Sequence, residues 1–315
     1  MQKIYLPEIT LCAIDTANVI LTRQALEHSM KGCIFGDIVF VTSERTVAPF
    51  RTIIVSPFVN MQEVESFWVQ KLPSYINTPF ILFVQYDGYV INPSSWQPEF
   101  LEYDYVGAKW AWRHDGLNVG NSGFSLMSKR LLNTWGSPEN NPSLIFTDEY
   151  LCRTLRPHFE TEYNIRFAPE SIADLFSYEN SLPRQPTFGF HGLFNLWRHN
   201  DDEQMNRIAH EIADYTVLSP GYVKIIAQYY LMRKFNPLRA LYARLRQKQN
   251  KQDVLRQFVQ MFNEPFAREC ITVCENLMQE GPRIGIPPVV CPPQTDIKQP
   301  YEEIDARGRI FPWER

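Results

Sequence analysis

The chain has 315 residues, which is enough for one large α/β domain with a helical extension or for two modest domains. Hydrophobic residues make up 44% and charged residues 21%, a balance that excludes an intrinsically disordered chain. The net charge of −4 is unevenly divided, because residues 1–219 hold 16 Lys/Arg against 25 Asp/Glu (−9) and residues 220–315 hold 15 against 10 (+5). This asymmetry indicates that the two parts have different roles.

The sequence predicts neither export nor a membrane-spanning helix. No apolar run reaches the ~20 residues that a membrane-spanning helix needs, and the N-terminal residues lack a secretory h-region. The six cysteines lack the C-x-x-C spacing of a structural zinc site, and the spacing of Cys270 and Cys274 predicts neighbours on one helix face. We therefore expect a cytoplasmic protein with free thiols.

Short apolar runs alternate with helical stretches in the first part of the chain. The β-rich runs lie at residues 9–14, 37–42, 52–55 and 80–85, and helices are predicted between them at 21–30 and 61–72. Continuous apolar strands separated by helices predict an α/β fold with a mostly parallel central sheet, buried on both faces. In such sheets ligands bind beyond the carboxyl ends of the strands, which is where Asp15, Thr42 and Asp87 stand.

The later part of the chain has a helical pattern. Helices are predicted at 147–155 and 201–215, and the sequence then looks helical until about residue 280, where prolines become frequent. Ser219-Pro220-Gly221 marks a break in the pattern. We therefore predict an α/β domain, a basic helical extension and a Pro-rich tail, at residues 1–219, 220–281 and 282–315.

Two small loops are candidates for ligand binding. Gln85-Tyr86-Asp87-Gly88 follows the fourth apolar run, and a carboxylate there can hold a divalent cation that neutralises the diphosphate of a nucleotide sugar. A plain strand-to-turn Asp-Gly is the structural alternative. The loop Gly120-Asn121-Ser122-Gly123 suits either phosphate binding through backbone N–H groups or a simple tight turn.

Two further features could carry chemistry. Asp148 and Glu149 stand at the start of a predicted helix, where acids stabilise the helix by capping and through its dipole. A general base that deprotonates an acceptor hydroxyl is also an Asp or Glu. His191, between Gly189 and Gly192, is either a metal ligand or an ordinary loop histidine.

The order of these features resembles the GT-A-type glycosyltransferases, which carry a DxD metal motif, a glycine-rich loop, an acidic motif with the catalytic base, and a C-terminal metal-binding histidine. More closely, the chain resembles a GT-A-like family of bacterial, fungal and viral proteins, over about residues 6 to 197. The segments that carry the resemblance are Gln85-Tyr86-Asp87-Gly88, Asp104-Tyr105-Val106-Gly107-Ala108-Lys109-Trp110, Gly120-Asn121-Ser122-Gly123-Phe124-Ser125-Leu126, Asp148-Glu149 and Phe188-Gly189-Phe190-His191-Gly192.

The resemblance implies that residues 1–219 form a GT-A-like glycosyltransferase domain, which moves a sugar from a nucleotide-diphosphate donor to a glycan or other hydroxyl acceptor. Asp87 and His191 would hold Mn²⁺ or Mg²⁺. Glu149 would be the base, with Asp148 beside it, and an acid in that position favours an inverting reaction. The donor-binding residues would be Asp15, Gln85, Asp87, Gly88, Gly120, Asn121, Ser122 and Gly123. Trp110 and Trp112 would stack on an acceptor sugar, with burial in the core as the equal alternative.

Two positions depart from the family pattern. Gln85 replaces the first acid of the DxD motif, so only Asp87 of that motif is left to bind metal directly, and reduced metal affinity is expected. The acidic pair reads Asp148-Glu149 where the pattern more often gives Glu-Asp, so the two side chains could exchange roles.

Two other functions stay open. Gln85 is compatible with a non-catalytic sugar- or nucleotide-binding protein on a degenerate glycosyltransferase scaffold. The retained Asp87, Asp148, Glu149 and His191 argue against this alternative, because decay would be expected to remove some of them. The third candidate is a nucleotidyltransferase, because the absence of Gly-x-Gly-x-x-Gly and Walker A loops excludes the commonest nucleotide folds but not that class.

Residues 222–251 carry eight Lys/Arg and no Asp or Glu. The interleaved apolar residues are typical of a basic amphipathic helix, which either packs on the acidic first domain or lies on an anionic membrane surface as a peripheral protein. Nucleic acid is the least favoured partner, because no recognition module accompanies the charge.

Overall fold

The computed structural model describes residues 3–45 and 48–279. The chain divides into two compact units, Met1–Asn195 and Leu196–Arg315. The second unit is described as far as residue 279, so the predicted Pro-rich tail and Cys291 lie outside the described residues.

The division lies before the break predicted at Ser219-Pro220-Gly221, which instead begins a helix. The Ser219 hydroxyl accepts a hydrogen bond from the Tyr222 N–H at 3.3 Å, and Pro220 occupies the first turn, where its missing N–H has no helical partner to lose. Proline and glycine at this point therefore belong to the first turn of a helix.

The strands of the first unit are β1 Ile4–Ile14, β2 Cys33–Thr42, β3 Arg51–Ile54, β4 Phe80–Phe83, β5 Tyr105–Val106, β6 Ser125–Ser128, β7 Ser177–Tyr178 and β8 Gly189–Phe190. Six of them form a sheet in the order β3-β2-β1-β4-β6-β5. Strands β1 to β4 are parallel to one another, whereas β6 runs antiparallel to both β4 and β5. A separate parallel pair is formed by β7 and β8. This architecture confirms the predicted α/β fold with a mostly parallel central sheet.

Apolar side chains cover both faces of this sheet. Along β1, Cys12 and Ile14 belong to one apolar core, whereas Leu11 and Ala13 belong to a second one. Successive strand residues point to opposite faces, so an uninterrupted apolar run requires burial on both. The helices of this unit are α1 Val19–Gly32, α2 Met61–Ser66, α3 Lys129–Gly136, α4 Arg156–Tyr163 and α5 Glu170–Phe176, with π-helical turns at Phe67–Lys71 and Tyr150–Leu155.

The described part of the second unit is helical. Its helices are α6 Asp202–Glu211, α7 Asp214–Val217, α8 Pro220–Leu231, α9 Phe235–Arg246, α10 Lys251–Met261 and α11 Glu264–Gln279. Cys270 and Cys274 both lie on the buried side of α11, as their spacing predicts. The five cysteines of the described residues are buried and form no disulfide.

Acidic partners within the second unit neutralise part of the basic stretch at 222–251. Four of its eight cations form ion pairs there, namely Lys234 with Asp202, Arg244 and Lys248 with Asp214, and Arg246 with Glu275, at 2.5–2.9 Å. No helix within residues 3–45 and 48–279 is long and apolar enough to cross a membrane.

Candidate functional site

The segment Gln85-Tyr86-Asp87-Gly88 is a tight turn at the carboxyl end of β4. Gln85 and Gly88 exchange two backbone hydrogen bonds, at 3.0 and 3.1 Å, which close the turn and put Asp87 near its tip. The Asp87 side chain is only 9% exposed. Its Oδ1 atom is buried and accepts no hydrogen bond from the described residues. A buried carboxylate oxygen without a donor is a costly arrangement, which a bound cation would relieve.

His191 directly follows β8 and points its ring at this turn. The imidazole Nε2 lies 3.6 Å from Asp87 Oδ1 and 3.3 Å from Gln85 Oε1. The His191 N–H donates to the Tyr178 carbonyl at 2.9 Å, which holds the residue next to β7. The structure therefore brings Gln85, Asp87 and His191, predicted from separate motifs, into one cluster.

Two glycines make room for the imidazole ring. A Cβ atom on Gly123 would lie 2.0 Å from His191 Nε2, and one on Gly88 would lie 2.9 Å from His191 Cδ2. Contacts this short are not possible between non-bonded atoms, so any larger residue at Gly123 displaces the ring. The space that these glycines leave is filled by the histidine.

The glycine-rich loop also contacts the cluster through Asn121 and Ser122. Asn121 Nδ2 lies 3.0 Å from His191 Nδ1, while Asn121 Oδ1 accepts from the Gly123 N–H at 3.2 Å. Ser122 donates through its N–H and its hydroxyl to Asp148 Oδ2, at 3.3 and 3.4 Å. This loop therefore links the histidine to the acidic pair.

The two acids of the pair have different surroundings. The Asp148 carboxylate is half-buried against Ser122, and burial raises its pKa. The Glu149 side chain is 60% exposed and its Oε1 lies 2.5 Å from Arg113 Nη2. Asp148 is thus the acid that contacts the glycine-rich loop, whereas Glu149 pairs with an arginine of a neighbouring loop.

Asp15 lies at the end of β1, as predicted, but its carboxylate accepts hydrogen bonds from residues at and just before the start of α1. Oδ1 accepts from the N–H groups of Ala17 and Asn18 at 2.8 and 2.7 Å, and Oδ2 accepts from the Thr22 hydroxyl at 2.7 Å. These bonds give Asp15 a structural role at the entry to the helix. Its predicted contact with a nucleoside stays a prediction.

The two tryptophans proposed for an acceptor differ in burial. Trp110 is 7% exposed and lies against Gly120, where an added Cβ would come within 2.2 Å of the indole ring. Trp112 is partly buried and packs on the apolar core. Trp110 therefore has the core role that was the alternative to sugar stacking.

The cluster contains one histidine and several acidic side chains, which affect one another's pKa values. Burial opposes a charged imidazole, but the nearby Asp87, Glu179 and Asp148 outweigh it and raise the pKa of His191 to about 9. Burial raises the pKa of Asp87, and the neighbouring His191 partly offsets that rise. The acids around His191 therefore favour positive charge at this position, which is also what a bound divalent cation would supply.

The cluster around His191 offers few possible ligands to a metal ion. Asp87 Oδ1, His191 Nε2 and Gln85 Oε1 face one another, and the hard oxygen atoms suit Mg²⁺ or Mn²⁺. Among the described residues, no group of three or more His, Cys, Asp or Glu side chains is arranged to hold a metal ion. The third ligand would thus have to be the amide oxygen of Gln85 or a group of the substrate.

Glu179 is the member of the cluster that the sequence did not indicate. It follows β7, its side chain is 15% exposed, and its Oε1 lies 3.3 Å from His191 Nδ1. The Asn195 amide donates to the carbonyls of both Glu179 and His191 at 2.8 Å, which ties the two backbones together. No motif marks Glu179, because the pairing of β7 with β8 brings it to the histidine from a distant part of the chain.

The comparison with protein families gives one match. The model of a family described as "Protein of unknown function (DUF5672)" matches residues 51–191, a range that contains Asp87, the glycine-rich loop, Asp148 and His191. No curated protein matches the chain.

Three of the solved structures that are similar to the chain illustrate the likeness. One is a glycosyltransferase involved in the glycosylation of the major capsid of PBCV-1, at 12% identity over 58% of this chain and 91% of that chain, with a TM-score of 0.38. S. aureus TarS 1-349, at 10% identity, covers 86% of this chain and 90% of that chain, with a TM-score of 0.34. The apo-form glycosyltransferase GlyE of Streptococcus pneumoniae TIGR4 covers 61% and 54%, at 10% identity and a TM-score of 0.35. All three TM-scores are below 0.5, so a function for this chain has to be argued from the residues of the site.

Proposed function

We propose that this chain is a glycosyltransferase that moves a sugar from a nucleoside-diphosphate donor to an acceptor hydroxyl with the help of a divalent cation. The observation that carries the proposal is the contact cluster of Asp87, His191, the glycine-rich loop and Asp148. These residues come from four motifs far apart in the sequence, and the order of the motifs resembles that of the GT-A glycosyltransferases.

The cation would be held by Asp87 Oδ1 and His191 Nε2, with Gln85 Oε1 beside them. A bound Mn²⁺ or Mg²⁺ supplies positive charge that stabilises the leaving nucleoside diphosphate. The buried, undonated Oδ1 of Asp87 supports this role. With one carboxylate in place of two, metal affinity is expected to be lower than in a site with both DxD acids.

The glycine-rich loop would contact the donor. Its small residues let a sugar or phosphate approach the main chain, and the Ser122 hydroxyl and Asn121 amide offer hydrogen bonds. The contact of Ser122 with Asp148 would keep the donor-binding loop and the acidic residue in a fixed relation.

Asp148 is the better candidate for the general base. A base needs a carboxylate beside the reacting hydroxyl and a pKa nearer to the working pH than that of an exposed acid. Burial raises the pKa of Asp148, and the contact with Ser122 keeps it beside the donor loop. The position in the motif favours Glu149 instead, but its side chain is 60% exposed and is paired with Arg113.

The test is release of a nucleoside diphosphate from a panel of nucleotide sugars that includes UDP-GlcNAc, with Mn²⁺ and with hydroxyl acceptors. We expect release that stops with EDTA and in Asp87→Asn. The control is Asp37→Asn, which removes a carboxylate paired with Arg51 away from the cluster and should leave release unchanged.

Calorimetry with UDP and GDP distinguishes the alternatives. Binding that needs Mn²⁺ but never leads to release, whatever the acceptor, identifies the non-catalytic binder on a glycosyltransferase scaffold, the candidate that Gln85 favours. Equal binding with Mn²⁺ and with EDTA contradicts the metal assignment. Absence of binding to any nucleotide sugar or diphosphate contradicts the proposal as a whole.

A further inference from the structure

The two ring nitrogens of His191 face different partners. Nε2 faces the proposed cation ligands Asp87 and Gln85, at 3.6 and 3.3 Å. Nδ1 faces Glu179 Oε1 at 3.3 Å and Asn121 Nδ2 at 3.0 Å. The ring is therefore contacted on both edges, and only one edge is directed at the proposed metal site.

The two partners of Nδ1 require opposite states of that atom. The Asn121 amide N–H donates only to a bare Nδ1, whereas the Glu179 carboxylate accepts only from a protonated one. Asn121 cannot exchange its oxygen and nitrogen without losing the bond from the Gly123 N–H, which its Oδ1 accepts at 3.2 Å. A neutral imidazole with a bare Nδ1 carries its proton on Nε2, where it blocks a cation.

We infer that Glu179 is the positioning residue that makes His191 a metal ligand. Its carboxylate holds the proton on Nδ1 and so leaves the lone pair of Nε2 directed toward Asp87 and Gln85. This inference rests on the proposed metal-assisted function, and it assigns to Glu179 a role that no sequence motif indicates. Glu179 acts through the histidine, since it lies on the Nδ1 edge of the ring.

The local structure keeps Glu179 in place for this role. Tyr178 pairs with Phe190 between β7 and β8, so that Glu179 and His191 directly follow two paired strands. The Asn195 amide bridges their two carbonyls at 2.8 Å each. With side chains only 15% and 16% exposed, water competes little for the contact.

The experiment measures the affinity for Mn²⁺ alone, by calorimetry on the full chain. The variants are Glu179→Gln, Glu179→Asp, His191→Gln and the double variant Glu179→Gln/His191→Gln. Loss of such a carboxylate beside a metal-binding histidine typically weakens metal affinity about 10- to 100-fold, and we expect Glu179→Gln to do so. Glu179→Asp keeps the charge but withdraws the carboxylate by one methylene, so we expect it to weaken binding as well.

The double variant separates positioning from simple charge attraction. If Glu179 acts through the ring, Glu179→Gln has no further effect once His191 is Gln, because the residue it positions is gone. A second readout is the ¹⁵N shift of the His191 ring nitrogens in the Mg²⁺-loaded protein, assigned from the signals that His191→Gln removes. We expect a protonated Nδ1 in the wild-type chain and a changed shift in Glu179→Gln.

Four results would overturn the inference, and they differ in which part of the proposal they leave intact. If Glu179→Gln binds Mn²⁺ as tightly as the wild-type chain, or if it weakens Mn²⁺ binding equally with and without His191, Glu179 does not position the histidine. The proposed metal site is unaffected by either result. Full affinity in Glu179→Asp shows that charge alone matters. No Mn²⁺ binding by the wild-type chain rejects the metal assignment itself. Thermal unfolding identifies any variant that fails to fold. If either Glu179→Gln or Glu179→Asp fails to fold, the other variant provides the test.

Discussion

Gly123 of the glycine-rich loop has no side chain, and this leaves room for the imidazole ring of His191. Its backbone does not adopt a left-handed conformation, so the residue is not needed for its φ angle. We predict that Gly123→Ala abolishes Mn²⁺ binding, because the new Cβ would lie 2.0 Å from His191 Nε2 and would push the ring from Asp87. The ring can turn to relieve the contact, so the cost in unfolding free energy should be modest, about 1–3 kcal/mol. Calorimetry and thermal unfolding measure the two effects.

Gly116→Ala is the matched control for Gly123→Ala. Gly116 has a φ of +81° and open space where a Cβ would be added, so alanine there adds backbone strain of about 1 kcal/mol without a steric contact. We expect a similar loss of stability but unchanged Mn²⁺ affinity. Wild-type Mn²⁺ affinity in Gly123→Ala would contradict the assignment of His191 as a ligand.

The acidic pair gives a prediction about rate. Asp148→Asn keeps the hydrogen-bonding shape but removes the proton acceptor, and loss of a general base costs on the order of 10²- to 10⁴-fold in rate. Glu149→Gln should change the rate little, since the Glu149 carboxylate is paired with Arg113 in exposed surroundings. Donor binding should stay near the wild-type value in both variants. The opposite ranking in a transfer assay would return the role of base to Glu149.

Single residues of the site could be predicted where a strand end or a glycine marks them. Asp87 follows an apolar run, and His191 stands between glycines, so both could be proposed from the sequence, and the structure brings them into one cluster. Glu179 could not be found, because its contact with His191 depends on the pairing of two-residue strands that have no apolar pattern of their own. The burial of Trp110 against Gly120 likewise depends on a contact between separate segments.

At the scale of elements, long apolar runs were predicted well and short strands were not. The runs at 9–14, 37–42, 52–55 and 80–85 overlap β1 to β4, because parallel strands buried on both faces must be apolar throughout. Strands β5 and β6 were missed, since β5 has two residues and β6 lies in the glycine-rich stretch. The helix predicted at 147–155 contains a π-helical turn at Tyr150–Leu155, a hydrogen-bonding pattern that side-chain periodicity does not distinguish from an α-helix.

A polar contact joins α9 to α11 in the second unit. Glu275 Oε1 accepts from the Tyr242 hydroxyl at 2.6 Å and from Arg246 Nε at 2.7 Å, and the Glu275 side chain is 18% exposed. Glu275→Gln removes the charge that both donors bind, so we predict a loss of about 2 kcal/mol in the free energy of unfolding at neutral pH. The control on the same helix is Glu264→Gln, whose exposed pair with Arg268 should contribute at most about 0.5 kcal/mol.

The effect of Glu275→Gln should depend on pH in one direction. Burial alone would raise the pKa of Glu275, but Tyr242 and Arg246 outweigh it and hold the pKa below its ordinary value. A carboxylate with a lowered folded-state pKa stabilises the protein above its unfolded-state pKa, and the gain is lost as pH falls through the folded-state value. The difference between variant and wild type in urea unfolding should therefore shrink below about pH 4.5. A difference that grows on acidification would contradict the contact.

At the scale of the whole molecule, the uneven charge noted in the sequence has a partial explanation in the ion pairs. Asp202, Asp214 and Glu275 precede or follow the basic stretch at 222–251 in the sequence, so a count over that stretch alone misses them. In the structure these acids pair with four of its cations. The sequence therefore showed the basic residues but not how much of their charge is already balanced.

This balance leads to a prediction about anionic membranes. A cation contributes about 1 kcal/mol at an anionic bilayer, and the ion pairs should hold the attraction of this stretch well below that of eight separate cations. An attraction of roughly 4 kcal/mol corresponds to a dissociation constant of about 1 mM. We therefore expect weak sedimentation with phosphatidylserine vesicles at low salt, none at physiological salt, and none with neutral vesicles. Asp214→Asn frees Arg244 and Lys248 and should increase the bound fraction. Firm binding at physiological salt, or an unchanged bound fraction in Asp214→Asn, would show that these ion pairs do not limit the contact.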